Sequence, residues 1–256
     1  MSQPIFAASL PEAANLSMGQ NNRWKASPSL TSLLLTARNN YDWPSGTGAA
    51  KSQNIIIDLE NDVAQLLKSP SPENTHTIAV KVSSWAGNNK KSHDQIVMSS
   101  PHIKSAIHTS ILSLIAPSTV HQGLLGLCAV PGISLVIASK IYRFCDPQHG
   151  AAVDRHASYF TNSLYSNQGV RTTEFLREWS NSKHRASRLA IYSQSKLKQN
   201  LNEYIENYLP TLTDIATHLN STHNFYTCSE TKARKPWRPA DVEMAAYYWW
   251  AQNGAR

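Results

Sequence analysis

Three cysteines in 256 residues, Cys128, Cys145 and Cys228, are odd in number, widely spaced and free of any Cys-x-x-Cys pair. That pattern suggests neither a disulfide framework nor a zinc site. No apolar run approaches the ~18 residues that a membrane span needs; the longest, near 111–117, stops at Pro117. The opening MSQPIFAASLPEAANLSMGQ has no basic start and no long apolar stretch, so a signal peptide is not expected. Ten glycines and thirteen prolines exclude collagen-like and low-complexity chains. No Asn-Gly or Asp-Gly pair lies between alternating runs, so hairpin-linked strands are not expected. No internal repeat is present. These absences leave a globular, cytoplasmic, membrane-free chain with ample length to bury a core.

Charge is the first positive signal. The chain carries 24 Lys and Arg against 17 Asp and Glu, a formal +7. Between 171 and 238 stand Arg171, Arg177, Lys183, Arg185, Arg188, Lys196, Lys198, Lys232, Arg234, Lys235 and Arg238. Such a surface suits an anionic partner, nucleic acid being the commonest, with an acidic membrane surface or a merely solvated face as alternatives.

The remaining pattern is helical. SLTSLLLTARNNYDW (29–43) reads as a short helix begun by Ser29 or Thr31. In NIIIDLENDVAQLLKS (54–69), Ile55, Leu59, Val63 and Leu66 recur at helical spacing. PSPENTHTIAVKVSSWAG reads as a helix stopped by Gly87, although IAVKVSSW also suits a strand. Ile103, Ile107, Ile111 and Leu114 share one face of the next helix, and STVHQGLLGLCAV follows with Ser118 or Thr119 as its cap. TTEFLREWSNS starts at a Thr cap. SRLAIYSQSKLKQNLNEYIENYL ends before Pro210, TLTDIATHLN resumes, and RPADVEMAAYYWWAQ takes Pro239 as its first residue. The expected organisation is all-α: a loosely ordered arm over 1–30, then one helical domain over 31–256. Within it lie a hairpin (120–145), an acid segment (150–160) and basic C-terminal helices (171–256).

AVPGISLVIASKIYRFCDPQHGAAVDRHASYF (129–160) concentrates the chemistry. One helix ends near Cys128, Pro131-Gly132 turns the chain, and a second helix starts near Ser134. Such a turn aims N–H groups of the second helix at an anion such as a phosphate; an ordinary helical hairpin has the same sequence. Past a polar Asp-Pro connection stands one acid, Asp154, between Val153 and Arg155. An Asp before a helix is commonly an N-cap, and capping and chemistry are compatible in one residue.

A hydrophobic residue, Pro-Gly-hydrophobic, a helix, then Val-Asp-x-His about two dozen residues on resembles the helix-hairpin-helix DNA glycosylase superfamily, in its 8-oxoguanine-glycosylase-like branch. Here these positions are Val130, Pro131, Gly132, Ile133, Val153, Asp154 and His156. The resemblance covers roughly 75–160 well, the closing RPADVEMAAYYWW weakly and the first fifty residues not at all. It implies two helical lobes with the active site between them, double-stranded DNA as partner and no obligatory protein partner. Neither a metal nor another cofactor is implied. Asp154 would stabilise the cationic sugar as the base departs and help to activate water. Val130, Gly132, Ser134, Arg155 and His156 would meet DNA. Lys140, Val136, Trp85, Tyr142 and Trp249 are candidates for the pocket of a flipped base. Trp250, Trp24 and Trp43 are further aromatics that sequence alone leaves open, although aromatics at helical spacing more often serve the core.

Two positions depart from the family pattern. Members that also cut the backbone carry a lysine five residues after the hairpin proline; that position is Val136, and Ser134 stands where a third small residue is commonly Gly. A monofunctional glycosylase that leaves an abasic site is therefore expected. Oxidised guanine is the default base and hypermodified phage cytosine, met in antiviral defence, another. Lys140, one turn beyond Val136, is a displaced nucleophile, a pocket residue or a solvated lysine. The alternatives are a catalytically inactive hairpin module that binds DNA, or an all-α interaction protein.

Overall fold

A computed structural model describes residues 10–11, 13–19, 23–41, 55–87, 89–167, 197–229 and 231–253, apart from the side chains of residues 55, 155 and 165–167. The chain is mostly helical. It divides into two compact units, one formed by residues 43–153 and the other by 1–42 with 154–256.

In the 43–153 unit, α2 (Ile55–Leu66), α3 (Pro72–Trp85), α4 (Lys90–Val97), α5 (Pro101–Leu114), α6 (Val120–Cys128) and α7 (Leu135–Cys145) follow in order. The ambiguous IAVKVSSW is helical for a local reason. Ser71 Oγ caps Asn74 N–H at 3.1 Å, and Pro72 stands at the first helical position. Thr75, Ile78 and Val82 then fall on one buried face, so tertiary packing overrides the strand preference of β-branched residues. Ser100 likewise begins α5. Thr119 stands before α6, as expected, but makes no capping bond: Pro117–Thr119 form a 3-10 turn, and the Thr119 hydroxyl bonds back to the Ser113 carbonyl at 2.9 Å. Gly123 lets α6 approach α5 closely, because a Cβ there would lie 2.7 Å from the Ser110 carbonyl.

Helix α4 is absent from the sequence reading. KKSHDQIV buries only Ile96 and carries no apolar stripe. It forms because Asn89 caps Ser92 N–H at 3.0 Å, and it is tied to α3 by His76 Nε2 to the Ile96 carbonyl (2.7 Å) and His93 Nδ1 to Ser83 Oγ (3.2 Å).

The other unit contains α1 (Pro28–Asn39), α8 (Arg155–Asn167), α9 (Leu197–Glu203), α10 (Leu209–Ser221) and α11 (Pro239–Asn253). Ser27, rather than Ser29 or Thr31, caps α1, accepting from Leu30 N–H at 3.1 Å. Helix α11 packs against α1, α8 and α10. Its residues Pro239 to Ala246 are all buried, as a helix covered on several sides must be.

Two short antiparallel ribbons were not anticipated. Strand β1 (Leu16–Met18) pairs with β2 (Trp24–Ala26), and β3 (Tyr226–Thr227) with β4 (Arg234–Lys235). Their connections lack the two-residue turn signature, and strands this short show no alternation. Within the expected N-terminal arm, Leu10, Ala14, Leu16 and Ala26 are buried. Pro210 does not end its helix either. The chain continues from α9 through a π-helical turn, Tyr204–Tyr208, into α10. Leu209 N–H bonds to the Tyr204 carbonyl, and Pro210, which has no N–H to satisfy, sits in the first turn beyond. TTEFLREWSNS lies outside the described residues.

One ionic cluster holds this unit together. Fully buried Asp241 accepts from Arg38 Nη2 (3.0 Å), Arg238 Nε (2.8 Å) and the Tyr226 hydroxyl (2.8 Å), linking α1, the second ribbon and α11.

Candidate functional site

The hairpin exists where the sequence locates it. Helix α6 ends at Cys128, Ile133 N–H closes the turn onto the Val130 carbonyl at 3.1 Å, and α7 begins at Leu135. Gly132 has φ +86°, a conformation that favours glycine, and a Cβ there would run into the Ser92 carbonyl of α4. Ser134 is the residue before α7, and its hydroxyl makes no capping bond.

Every residue of α7 is buried. Val136 is 5 % exposed, Tyr142 3 % and Lys140 7 %. Burial, with a smaller contribution from Asp146, pushes the Tyr142 hydroxyl pKa well above its usual value. Lys140 Nζ lies 5.6 Å from the centre of the Trp85 ring, and no carboxylate among the described residues is paired with it. One turn on, Arg143 pairs with Glu60 at 3.2 Å and lies over Phe144, whose ring meets Trp85 edge-on at 4.9 Å.

The acid segment is tied down step by step. Asp146 accepts Gly150 N–H on its carbonyl at 2.7 Å and meets His149 Nδ1 through its carboxylate at 2.8 Å. Ala151, Ala152 and Val153 are buried. Val153 N–H donates to Ser139 Oγ at 3.0 Å, and that hydroxyl donates to the Val136 carbonyl, also at 3.0 Å. The last residue before the acid is thus pinned to the middle of α7.

Asp154 follows as the N-cap of α8. Its Oδ1 accepts Ala157 N–H at 3.0 Å and its carbonyl accepts Ser158 N–H at 2.9 Å. The residue is half-buried, and among the described residues Oδ2 makes no hydrogen bond. A carboxylate held in this way has one oxygen committed to structure and one available to stabilise a cation or orient water. His156 meets Tyr247 of α11 edge-on at 5.0 Å, while the Arg155 side chain lies outside the described part.

The other aromatics divide by unit. Trp249 packs edge-on against Phe160 at 5.9 Å, and Trp250 stacks on Tyr159 at 5.2 Å, both between α8 and α11. The Trp24 backbone N–H donates to Asp214 at 2.9 Å. Trp43 lies outside the described residues. So the structure gathers Val136, Lys140, Tyr142 and Trp85 around α7, and Asp154, His156 and Trp249 around α8 and α11. Ser139 is the participant that the sequence reading missed; its signal was a small hydroxyl residue directly after the apolar stretch LVIA in α7.

Of the basic residues, Arg171 to Lys196 lie outside the described part. Lys198, Lys232 and Arg234 are exposed, and Arg238 is engaged with Asp241. Among the described residues no group of three His, Cys, Asp or Glu is placed to hold a metal, and no helix is long and apolar enough to cross a membrane. No family model, curated protein or solved structure matches the chain.

Proposed function

We propose that this chain is a monofunctional DNA glycosylase, in which the hairpin at Val130–Ser134 meets a phosphate and Asp154 faces the deoxyribose of a flipped, modified nucleotide. The observation that carries this reading is the mooring of Val153 by Ser139, which ties the residue before the acid to the helix that leaves the hairpin. Departure of the base leaves positive charge on the sugar. The free oxygen of Asp154 stabilises that charge and orients the water that replaces the base. Extrusion of the nucleotide costs a few kcal/mol of unstacking, which phosphate contacts at the hairpin and basic side chains offset. Val136 is a buried alkyl group, so no amine attacks from its position, and the product is an abasic site. The substrate class is DNA carrying an altered base, oxidised guanine or hypermodified cytosine.

The test is incubation with duplexes that each carry one candidate base, scored for abasic sites after alkali, with borohydride added in parallel. Base release without a trapped protein–DNA adduct is expected. A second reading, a DNA-binding module without catalysis, draws on the capping bond of Asp154, which gives the carboxylate a purely structural role. Binding to duplexes with no release from any of them would favour it and overturn the first.

A further inference from the structure

Beside the hairpin, within the 43–153 unit, lies an open groove of about 790 Å³. Its walls are α4, the start of α5 and the hairpin proline; Lys90, Lys91, Asp94, Met98, Ile103 and Pro131 line it. The groove and the hairpin share one frame, because the turn at Gly132 rests against the carbonyl of Ser92, in the first turn of α4. The two histidine bonds to α3 hold α4 in that place.

The chemistry of the lining is split. Met98 is 82 % exposed, and with Ile103 and Pro131 it offers an apolar floor. Lys90 and Lys91 are exposed on the rim, and neither is in an ion pair among the described residues. Cations are unfavourable in the first turn of a helix, and α4 has no acidic residue there, so these two lysines do not serve the stability of α4. One opposing charge, Asp94, leaves the rim with a net positive character. A surface lysine pair is ordinarily solvated; here it borders an apolar trough that runs up to the hairpin turn at Pro131. Cations on a rim above an apolar floor complement a nucleic-acid strand, whose phosphates are anionic and whose sugars are largely apolar.

We infer that this groove is a second DNA contact, which takes the strand flanking the target nucleotide as it leaves the hairpin. The inference rests on the glycosylase reading. Lys90 and Lys91 each neutralise one phosphate, and Met98 and Ile103 lie under the sugars. Asp94 disfavours a phosphate at its own position and so limits how the strand can lie in the groove.

Equilibrium binding of a fluorescent duplex across a salt series tests it, with the full chain, the Lys90→Gln/Lys91→Gln double variant and Met98→Glu. Lys68→Gln, at an exposed lysine just past α2, controls for loss of charge in general. The double variant should bind at least about tenfold more weakly, and its log–log salt slope should be shallower by about two, one per lost phosphate contact. Met98→Glu should weaken binding as well, and Lys68→Gln should do neither. If the parent protein binds duplex while the double variant keeps its slope and affinity, the groove has no DNA in it and the glycosylase reading stands. If the parent protein binds no duplex at all, that reading fails and the groove contact fails with it. Weakening by Lys68→Gln equal per charge to that of the double variant would reduce the effect to net charge and overturn the site.

Discussion

Ser139 Oγ accepts the Val153 amide at 3.0 Å from within α7, fourteen residues earlier in the chain. Both residues are fully buried. This bond turns a loop that could drift into one with a fixed end, immediately before Asp154.

Replacement of Ser139 by Ala orphans the Val153 N–H, at a cost of about 1–3 kcal/mol. A better helix residue returns only about 0.5 kcal/mol of that. Urea unfolding should show the net loss. Because the hydroxyl acts through the acid and not on DNA, base release should slow while duplex affinity stays unchanged. Equal losses in affinity and rate would assign Ser139 a general structural role instead.

Gly132→Ala tests the turn. Its positive φ and the nearby Ser92 carbonyl leave no room for a side chain. The variant should lose more than about 1 kcal/mol of stability, read in the same unfolding experiment. A neutral outcome would mean that α4 does not lie against the turn.

Asp241 gives a pH signature. Burial alone would raise its pKa, but Arg38 and Arg238, with hydrogen bonds from Arg238 and Tyr226, outweigh burial and hold it well below the usual range. The unfolded chain therefore takes up the proton first, near the ordinary aspartate pKa of about 3.9. Stability from this cluster is complete above that pH and declines as pH falls below it toward the lowered folded pKa. Urea midpoints should hold between about pH 5 and 7 and drop in stronger acid. Asp241→Asn should cost about 3–5 kcal/mol, since it breaks the buried ion pair with Arg38. An unchanged midpoint in the variant would contradict the role given to the cluster.

The cysteines should be inert in the native protein. Burial pushes the Cys128 thiol up to about 12, and burial with the nearby Asp146 pushes Cys145 up as well. The thiolate is the reactive form. Labelling of these two at pH 8 should be slow until denaturant is added; rapid labelling would show the hairpin helices to be open.

What the sequence made legible was local. The Pro-Gly turn, the helices around it and the start of α11 at Pro239 follow from spacing and backbone chemistry, and each stands where residue pattern located it. Helix α4 was illegible because it buries a single residue, Ile96, and is fixed by two histidine bonds to α3, His76 reaching in from α3 and His93 reaching out to Ser83. Continuation through Pro210 depends on a π-helical turn that no local signal announces. Asp154 was legible as an acid before a helix, whereas its mooring was not, since Ser139 and Val153 meet only in the folded chain. The Arg38–Asp241 cluster escaped for the same reason, its partners standing 203 residues apart.

The most direct test of the account is single-turnover base release by Asp154→Asn on a duplex from which the parent protein releases a base. Asparagine caps a helix about as well as aspartate, so α8 should keep its start and the fold should survive, with the charge alone removed. Release should fall at least about a hundredfold with duplex affinity retained. Release at the parent rate would show that the carboxylate of Asp154 takes no part in the chemistry.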